Sequence, residues 1–315
     1  LKRKIKSSIN ECYSGIANIL ACDQDVFFLN TYLPRLEEIR LCRRLGEIPK
    51  FWTIVPAVRT FVNKSQRQWE VLGDSRSDFE ACARKLIPSQ IPRIYLEGYR
   101  QLIDQVRDMP WPKHPKIIWT SNAHISVDVF KAWAAEKAEK GSPLVIGQHG
   151  GHYGTGQWSF LEDHELAVSD CYLSWGWSKP GQSKIKPVGQ LKDERLKGVH
   201  KAQNQRAMLV TCVTPRYSFT MKSMIVAGQY LDYFNDQCNF VKNLPAHIYE
   251  KLTVRLVTHQ GKIVDYGWDI ISRWLDSFPD INLDYGRSSI NGLISQCRLN
   301  IATYNATTFL ESFSK

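Results

Sequence analysis

An α/β protein built from two parallel-sheet domains is what the sequence predicts, on three observations. Its 315 residues exceed what one domain of about 150 residues needs. Two blocks, Ile117–Trp175 and Met208–Phe313, alternate short apolar runs with amphipathic stretches, as parallel strands joined by crossover helices do. Between them Lys179–Arg206 is polar and basic, without apolar periodicity, and reads as the linker. The expected domains are therefore residues 1–190 and 191–315.

The first hundred residues read mainly as helix. Pro34–Leu45, Ser77–Leu86 and Arg93–Val106 carry apolar residues at helical spacing, punctuated by Pro49, Pro56, Pro88 and Pro92. After the Pro-rich hinge Met109–Pro115 the pattern changes. Ile117–Thr120 and Leu144–Ile146 are buried-strand runs flanking the amphipathic stretch Val127–Lys140, and Leu166–Trp175 is a third, more mixed strand. The second block predicts strand Met208–Val213, helix Phe219–Phe234, strand Leu252–Thr258, helix Tyr266–Phe278 and strand Ile281–Leu283. Helix Ser288–Cys297, strand Leu299–Thr303 and helix Thr307–Phe313 complete it. Both domains are thus expected to be Rossmann-like, with ligands at the carboxyl ends of the strands.

Composition narrows the class. With 43% hydrophobic and 11% aromatic residues the chain has the material for a core, which excludes disorder and a small disulfide scaffold. A net charge of +10 favours anionic partners: nucleotides, phosphosugars, nucleic acid or an anionic membrane face. The eight cysteines form no CxxC or CxxH pair and read as reduced, buried thiols of a cytosolic protein. No apolar stretch approaches the roughly 20 residues of a membrane span. The chain opens without Met and ends inside an expected helix, which reads as a piece of a longer, multi-domain polypeptide.

Strand ends carry the candidate chemistry. Gly147–Gly154 (GQHGGHYG) follows a strand directly; adjacent glycines let a backbone approach a ligand closely and offer its N–H groups to an anion. Asp170, among apolar neighbours, is a carboxylate that needs a partner or a task, with a structural turn-capping Asp equally open. Glu97 lies between Tyr95 and Tyr99, neighbours that could raise its pKa. Thr211–Ser218 leaves a strand with hydroxyls and with Arg216, suited to phosphate or carboxylate. Tyr304–Glu311 leaves another strand with Asn305, Thr307 and Thr308 at a helix start, which ordinary capping explains as well. The Asp23-Gln24-Asp25 pair resembles a metal-binding motif but sits in a helical context, and no Walker P-loop, GxGxxG, GxSxG, zinc-finger or RNP1 pattern occurs.

Taken together, Ile146–Gly151 (IGQHGG), His164-Glu165, Ser169-Asp170, Tyr172–Trp177 (YLSWGW), Pro215–Ser218 and Asn305, Thr307, Thr308 and Glu311 resemble the retaining β-Kdo glycosyltransferases of bacterial O-antigen and capsule assembly. The resemblance runs from about Thr31 to the chain end. It implies a GT-B fold, two Rossmann-like domains facing across a cleft, with the acceptor mostly on the first and the nucleotide mostly on the second. It implies CMP-Kdo as donor and no essential metal or further cofactor. Its mechanism is double displacement, with Asp170 as nucleophile and Glu97 as base. His149, Gly150, Gly151, Arg216 and Tyr217 would hold the substrate; Thr214, Asn305, Thr307, Thr308 and Glu311 would hold CMP. The implied partner is a lipid-linked glycan acceptor rather than nucleic acid, in the cytoplasm or at the cytoplasmic face of the inner membrane. Two other functions stay open on the residues alone: another nucleotide-sugar or CDP-polyol transferase, and a basic RNA-binding module.

Overall fold

The computed structural model describes residues 22–192, 205–218, 225–259, 262–305 and 307–313. The chain divides into two compact units, Leu1–His149 with Gln157–Lys192, and Gly150–Gly156 with Asp193–Lys315. Each is built on a parallel sheet with helices between strands, the α/β class that the alternating patterns predict.

In the first unit five strands lie in chain order: β1 (Phe27–Leu29), β2 (Ile118–Thr120), β3 (Leu144–Gly147), β4 (Cys171–Ser174) and β5 (Ile185–Pro187). All four pairings are parallel. Successive side chains point to opposite faces, so Phe27 and Phe28 serve two different layers. Phe27 packs 4.3 Å from the Trp133 ring centroid and 5.0 Å from Trp111, and stacks on Trp52. Phe28 joins Val26, Trp119, Cys42 and Leu191 on the other side. Helix α1 (Arg35–Arg44) supplies Cys42 to that second layer. Trp133 comes from the helix Asp128–Glu139, against which the helix Tyr99–Arg107 packs.

The second unit orders its strands β10-β7-β6-β11, where β6 is Arg206–Val210, β7 Leu252–Arg255, β10 Asn282–Asp284 and β11 Cys297–Ala302. A small antiparallel pair, β8 (Thr258–His259) and β9 (Lys262–Ile263), stands apart from this sheet. Leu209, Leu252 and Val254 pack against Tyr230, Phe234 and Trp274 on one face, while Met208, Val210 and Ile294 fill the other. From β6 the chain builds outward through β7 and β10, then returns to the opposite side of β6 with β11. The carboxyl ends of β6 and β11 therefore form a topological switch point, where open α/β sheets bind ligands.

Several expected elements change. β1 lies in a region read as helical before an apolar run, and β5 falls within the stretch read as linker. Leu166–Val168 belongs to a helix, Phe160–Val168, whose start is capped by Ser159 Oγ accepting from Glu162 N–H; the strand begins only at Cys171. The helix expected at Phe219–Phe234 runs instead over Gln229–Lys242, and residues 219–224 lie outside the described set. Pro88 does not end its helix, which continues to Gln90 although proline gives up the N–H that would bond the Arg84 carbonyl. Cys22 and Cys82 are exposed, against the expectation of buried thiols, and Cys12 lies outside the described residues. The seven described cysteines are free thiols, and burial pushes the Cys42 thiol up to about 11.

Candidate functional site

The carboxyl edge of the first sheet gathers a polar cluster from four segments. Asn30 and Tyr32 follow β1, both with left-handed backbone (φ 54° and 65°) that non-glycine residues rarely adopt. Such strain persists only where surrounding structure imposes it, and it concentrates at functional sites. Here the restraint is a hydrogen-bonded chain: Asn30 Nδ2 donates to Asn122 Oδ1 at 3.1 Å, and Asn122 Nδ2 donates to Tyr32 Oη at 3.0 Å. Asn122 follows β2, as does His124; Gln148 and His149 follow β3.

Glu165, from the helix Phe160–Val168, is fully buried beneath this edge. One carboxylate oxygen lies 3.2 Å from His124 Nε2 and 3.6 Å from His149 Nδ1. Burial and the neighbouring carboxylate of Glu165 hold the Tyr172 hydroxyl proton in place. A carboxylate that accepts from an imidazole N–H fixes its tautomer and leaves the other ring nitrogen to take a proton. Tyr32 sits edge-on to the His149 ring at 6.3 Å, and the Lys192 ammonium lies 4.6 Å from the Tyr32 ring centroid. The edge thus combines a carboxylate–histidine system with a cation.

Gln148 joins the two most distinctive sequence blocks. Its Oε1 accepts from the Trp175 backbone N–H at 2.7 Å and from Trp177 Nε1 at 2.8 Å, so the segment after β4 is bound to the segment after β3. Gly147 is needed just before it: a Cβ there would lie 2.7 Å from both Leu191 Cδ1 and Ser121 Oγ. Gly150 and Gly151 are absent from the left-handed positions, whereas Gly154 takes φ 73°.

The two proposed catalytic carboxylates stand elsewhere. Asp170 is solvent-exposed, against the expectation of apolar surroundings. Its Oδ2 accepts from the Leu144 N–H at 2.7 Å, and its own N–H donates to the Leu144 carbonyl. Both residues mark the amino ends of their strands, because parallel neighbours start at the same edge of a sheet. About 13 Å of β3 separates this end from Gln148, at some 3.3 Å per residue. Glu97 is gripped by Arg67, with Nε to Oε1 at 2.6 Å and Nη2 to Oε2 at 2.7 Å, and accepts from Asn63 N–H at 3.0 Å. The guanidinium holds its pKa down at about 2, opposite to the rise expected from the aromatic neighbours. A carboxylate so weakly basic is a structural anchor.

At the switch point of the second sheet the Tyr233 hydroxyl ties both strands together. It accepts from the Cys212 N–H at 2.7 Å and shares a 2.5 Å hydrogen bond with Thr303 Oγ1, which also bonds the Val210 carbonyl. Thr214 is 1% exposed and its Oγ1 has no hydrogen-bond partner among the described residues, while its carbonyl accepts from Trp268 Nε1. A buried hydroxyl with no partner is costly, and this one is available to bond a ligand at the switch point. Arg216 and Tyr217 are exposed; the guanidinium lies 5.6 Å from the Trp268 ring centroid and 5.8 Å from that of Tyr217. Asn305 is exposed, and Thr307 and Thr308 open the helix Thr307–Phe313. Glu311 stands one turn on in that helix, and burial, with the charge of Glu311 as a smaller cause, raises the Tyr304 hydroxyl pKa.

Sequence reading missed Asn30, Tyr32, Asn122, His124 and Lys192. Their common signal is position, each beyond a strand end or beside one, and β1 had to be recognised for the first two to stand out. Among the described residues no cluster of three or more His, Cys, Asp or Glu is arranged to hold a metal ion. Asp25, of the Asp23-Gln24-Asp25 pair, is spent on a buried ion pair with Lys50. None of the described helices is long and apolar enough to cross a membrane.

A search of curated proteins finds no match to this chain. The family model of the LIC12162 family transferases matches residues 1–315, and the chain, an α/β protein with both its strand-end clusters inside that match, belongs to this transferase family.

Proposed function

We propose that the chain is a glycosyltransferase that moves an acidic sugar from a nucleotide donor, CMP-Kdo, to a glycan acceptor of the bacterial surface. The observation that carries this reading is Glu165, buried between His124 and His149 at the carboxyl edge of the first sheet. That arrangement supports proton removal from an acceptor hydroxyl: the proton passes to a His149 nitrogen, and the acceptor oxygen bonds to the anomeric carbon. The bond from that carbon to the CMP phosphate breaks, and CMP leaves with the electron pair. CMP departs on a phosphate that already carries charge, so donors and cations can assist it without a strong acid. Lys192, beside Tyr32 on the first unit, is a cation suited to a sugar carboxylate. The unpartnered Thr214 hydroxyl at the switch point supports nucleotide binding by the second unit.

The nucleophile role that the resemblance implies for Asp170 is not part of this proposal, because that side chain occupies the amino edge. Nor is Glu97 its base, because Arg67 neutralises it.

Thermal stability with CMP, UDP and GDP tests the donor class, followed by acceptor-dependent release of CMP from CMP-Kdo. Stabilisation by CMP alone, with CMP release, is the expected result. Stabilisation by UDP or GDP but not CMP would assign another nucleotide-sugar transferase. RNA binding with a steep salt dependence and no nucleotide response would replace catalysis with a binding module.

A further inference from the structure

At the carboxyl edge of the first sheet the hydrogen-bonded chain through Asn122 runs in one direction. Asn30 donates to Asn122, and Asn122 Nδ2 donates in turn to Tyr32 Oη. The Tyr32 oxygen is thus already served as an acceptor, and its own O–H is the last donor of the chain. Among the described residues no group accepts from it. Burial pushes the Tyr32 hydroxyl pKa up, outweighing the Asn122 hydrogen bond that lowers it, so the proton stays in place at neutral pH. A phenol held this way is a fixed donor, aimed by the two amides behind it and by the left-handed backbone at Asn30 and Tyr32.

The surroundings decide what that donor serves. The Tyr32 ring packs against the layer of Phe28, Trp119 and Leu191, and the next residue, Lys192, lays its ammonium over that ring, 4.6 Å from the centroid. Lys192 makes no ion pair among the described residues. One ring therefore carries a cation over its face and an O–H donor at its rim. The described acids that adjoin this edge are engaged elsewhere: Glu38 accepts from Thr31 Oγ1 at 2.6 Å and lies near Arg35, and Glu165 is enclosed behind the two imidazoles. A donor beside an ammonium, neither with an acceptor of its own, complements an anionic oxygen.

Spacing points to the anion. The Tyr32 and His149 rings stand 6.3 Å apart. A hydrogen bond of about 3 Å from an imidazole to an acceptor hydroxyl, then about 3 Å from that oxygen to the carbon it attacks, fills this interval. A carboxylate borne on that carbon falls beside Tyr32 and Lys192.

We propose that Tyr32 and Lys192 are the specificity-determining pair for an acidic sugar, the Tyr32 O–H and the Lys192 ammonium binding the two oxygens of a carboxylate attached to the anomeric carbon. The inference rests on the transfer reaction above and adds the residues by which a neutral sugar is refused. A neutral sugar leaves the hydroxyl and the ammonium without partners, which is how polar sites reject ligands that lack the matching group.

The test is calorimetric titration of the whole chain with free Kdo and with its methyl ester, which lacks the charge. Millimolar binding of Kdo is expected, with the ester at least about tenfold weaker. Y32F deletes the O–H and K192Q deletes the charge; each should weaken Kdo binding about tenfold or more, the scale of a hydrogen bond to a charged group. Both variants should also bring Kdo and its ester closer together in affinity, a change that a purely structural role for either side chain would not produce. Melting temperatures should stay within a few degrees of wild type, and K192Q carries the test if Y32F folds poorly. No binding of Kdo at about 50 mM, equal binding of the ester, or undiminished discrimination in K192Q or in a folded Y32F would overturn the proposal. So would inorganic phosphate binding more tightly than Kdo and being lost in the same variants, which would give the pair to the donor phosphate. Failure of the transfer reaction itself looks different: Kdo would bind through Tyr32 while CMP-Kdo released no CMP.

Discussion

Glu165 and His124 meet 3.2 Å apart with the carboxylate wholly out of water, although 41 residues separate them in the chain. A carboxylate so deeply buried is tolerated because imidazole groups approach it from two sides. E165Q keeps the shape and removes the carboxylate, so kcat should fall at least about a hundredfold, the usual scale of lost acid–base assistance. Stabilisation by CMP should persist if, as proposed, the nucleotide is held by the second unit. Loss of CMP response together with kcat would instead indicate a collapsed fold.

Asp170 and Leu144 are joined twice, backbone to backbone and carboxylate to amide, at the starts of their strands. D170N retains an acceptor oxygen for the Leu144 N–H and should keep activity within about twofold of wild type. D170A leaves that amide without its acceptor and should cost about 1 kcal/mol of stability in denaturant titration. An activity loss of about 10⁴ in D170N, the scale of a missing nucleophile, would return Asp170 to the reaction.

The same two carboxylates show where sequence reading succeeds and where it stops. Runs such as Ile118–Thr120, Leu144–Gly147 and Leu252–Arg255 are legible because buried parallel strands are continuously apolar and flanked by helical periodicity. β1 escapes because three apolar residues beside a helical stretch carry no periodicity of their own. Leu166–Trp175 misleads because the end of a helix and the start of a strand are both apolar there. The edge on which a residue falls is equally hidden: Asp170 and His149 both adjoin strands, but one precedes β4 and the other follows β3. Local neighbours also mislead on charge. Tyr95 and Tyr99 suggest an apolar setting for Glu97, whereas its decisive partner, Arg67, is 30 residues away.

That ion pair sets a pH signature. Glu97 has a folded pKa of about 2, below the ordinary 4.5, because Arg67 stabilises its charged form. A depressed folded pKa contributes stability that is complete above the unfolded value and is lost as pH falls through the folded one. The melting temperature of wild type should therefore exceed that of E97Q near neutral pH, and the two should converge as pH falls from 4.5 toward 2. Turnover with donor and acceptor should be little changed in E97Q at neutral pH. A large loss of kcat with an unchanged melting temperature would reinstate Glu97 as a base.

Thr214 separates binding from folding most sharply. Its hydroxyl is 1% exposed and unbonded, so it contributes nothing to the free protein beyond its volume and carries a desolvation cost. T214V replaces the oxygen with a methyl group of similar size, and the ligand-free melting temperature should hold or rise. If the hydroxyl serves the nucleotide, the same change removes one hydrogen bond to CMP. Affinity should then drop by about tenfold, the scale of roughly 1.4 kcal/mol. Isothermal titration with CMP alongside a melt without ligand reads both quantities from one preparation. Reduced stability with undiminished CMP affinity would mean that the hydroxyl serves the fold, and the switch point would lose its strongest link to a nucleotide.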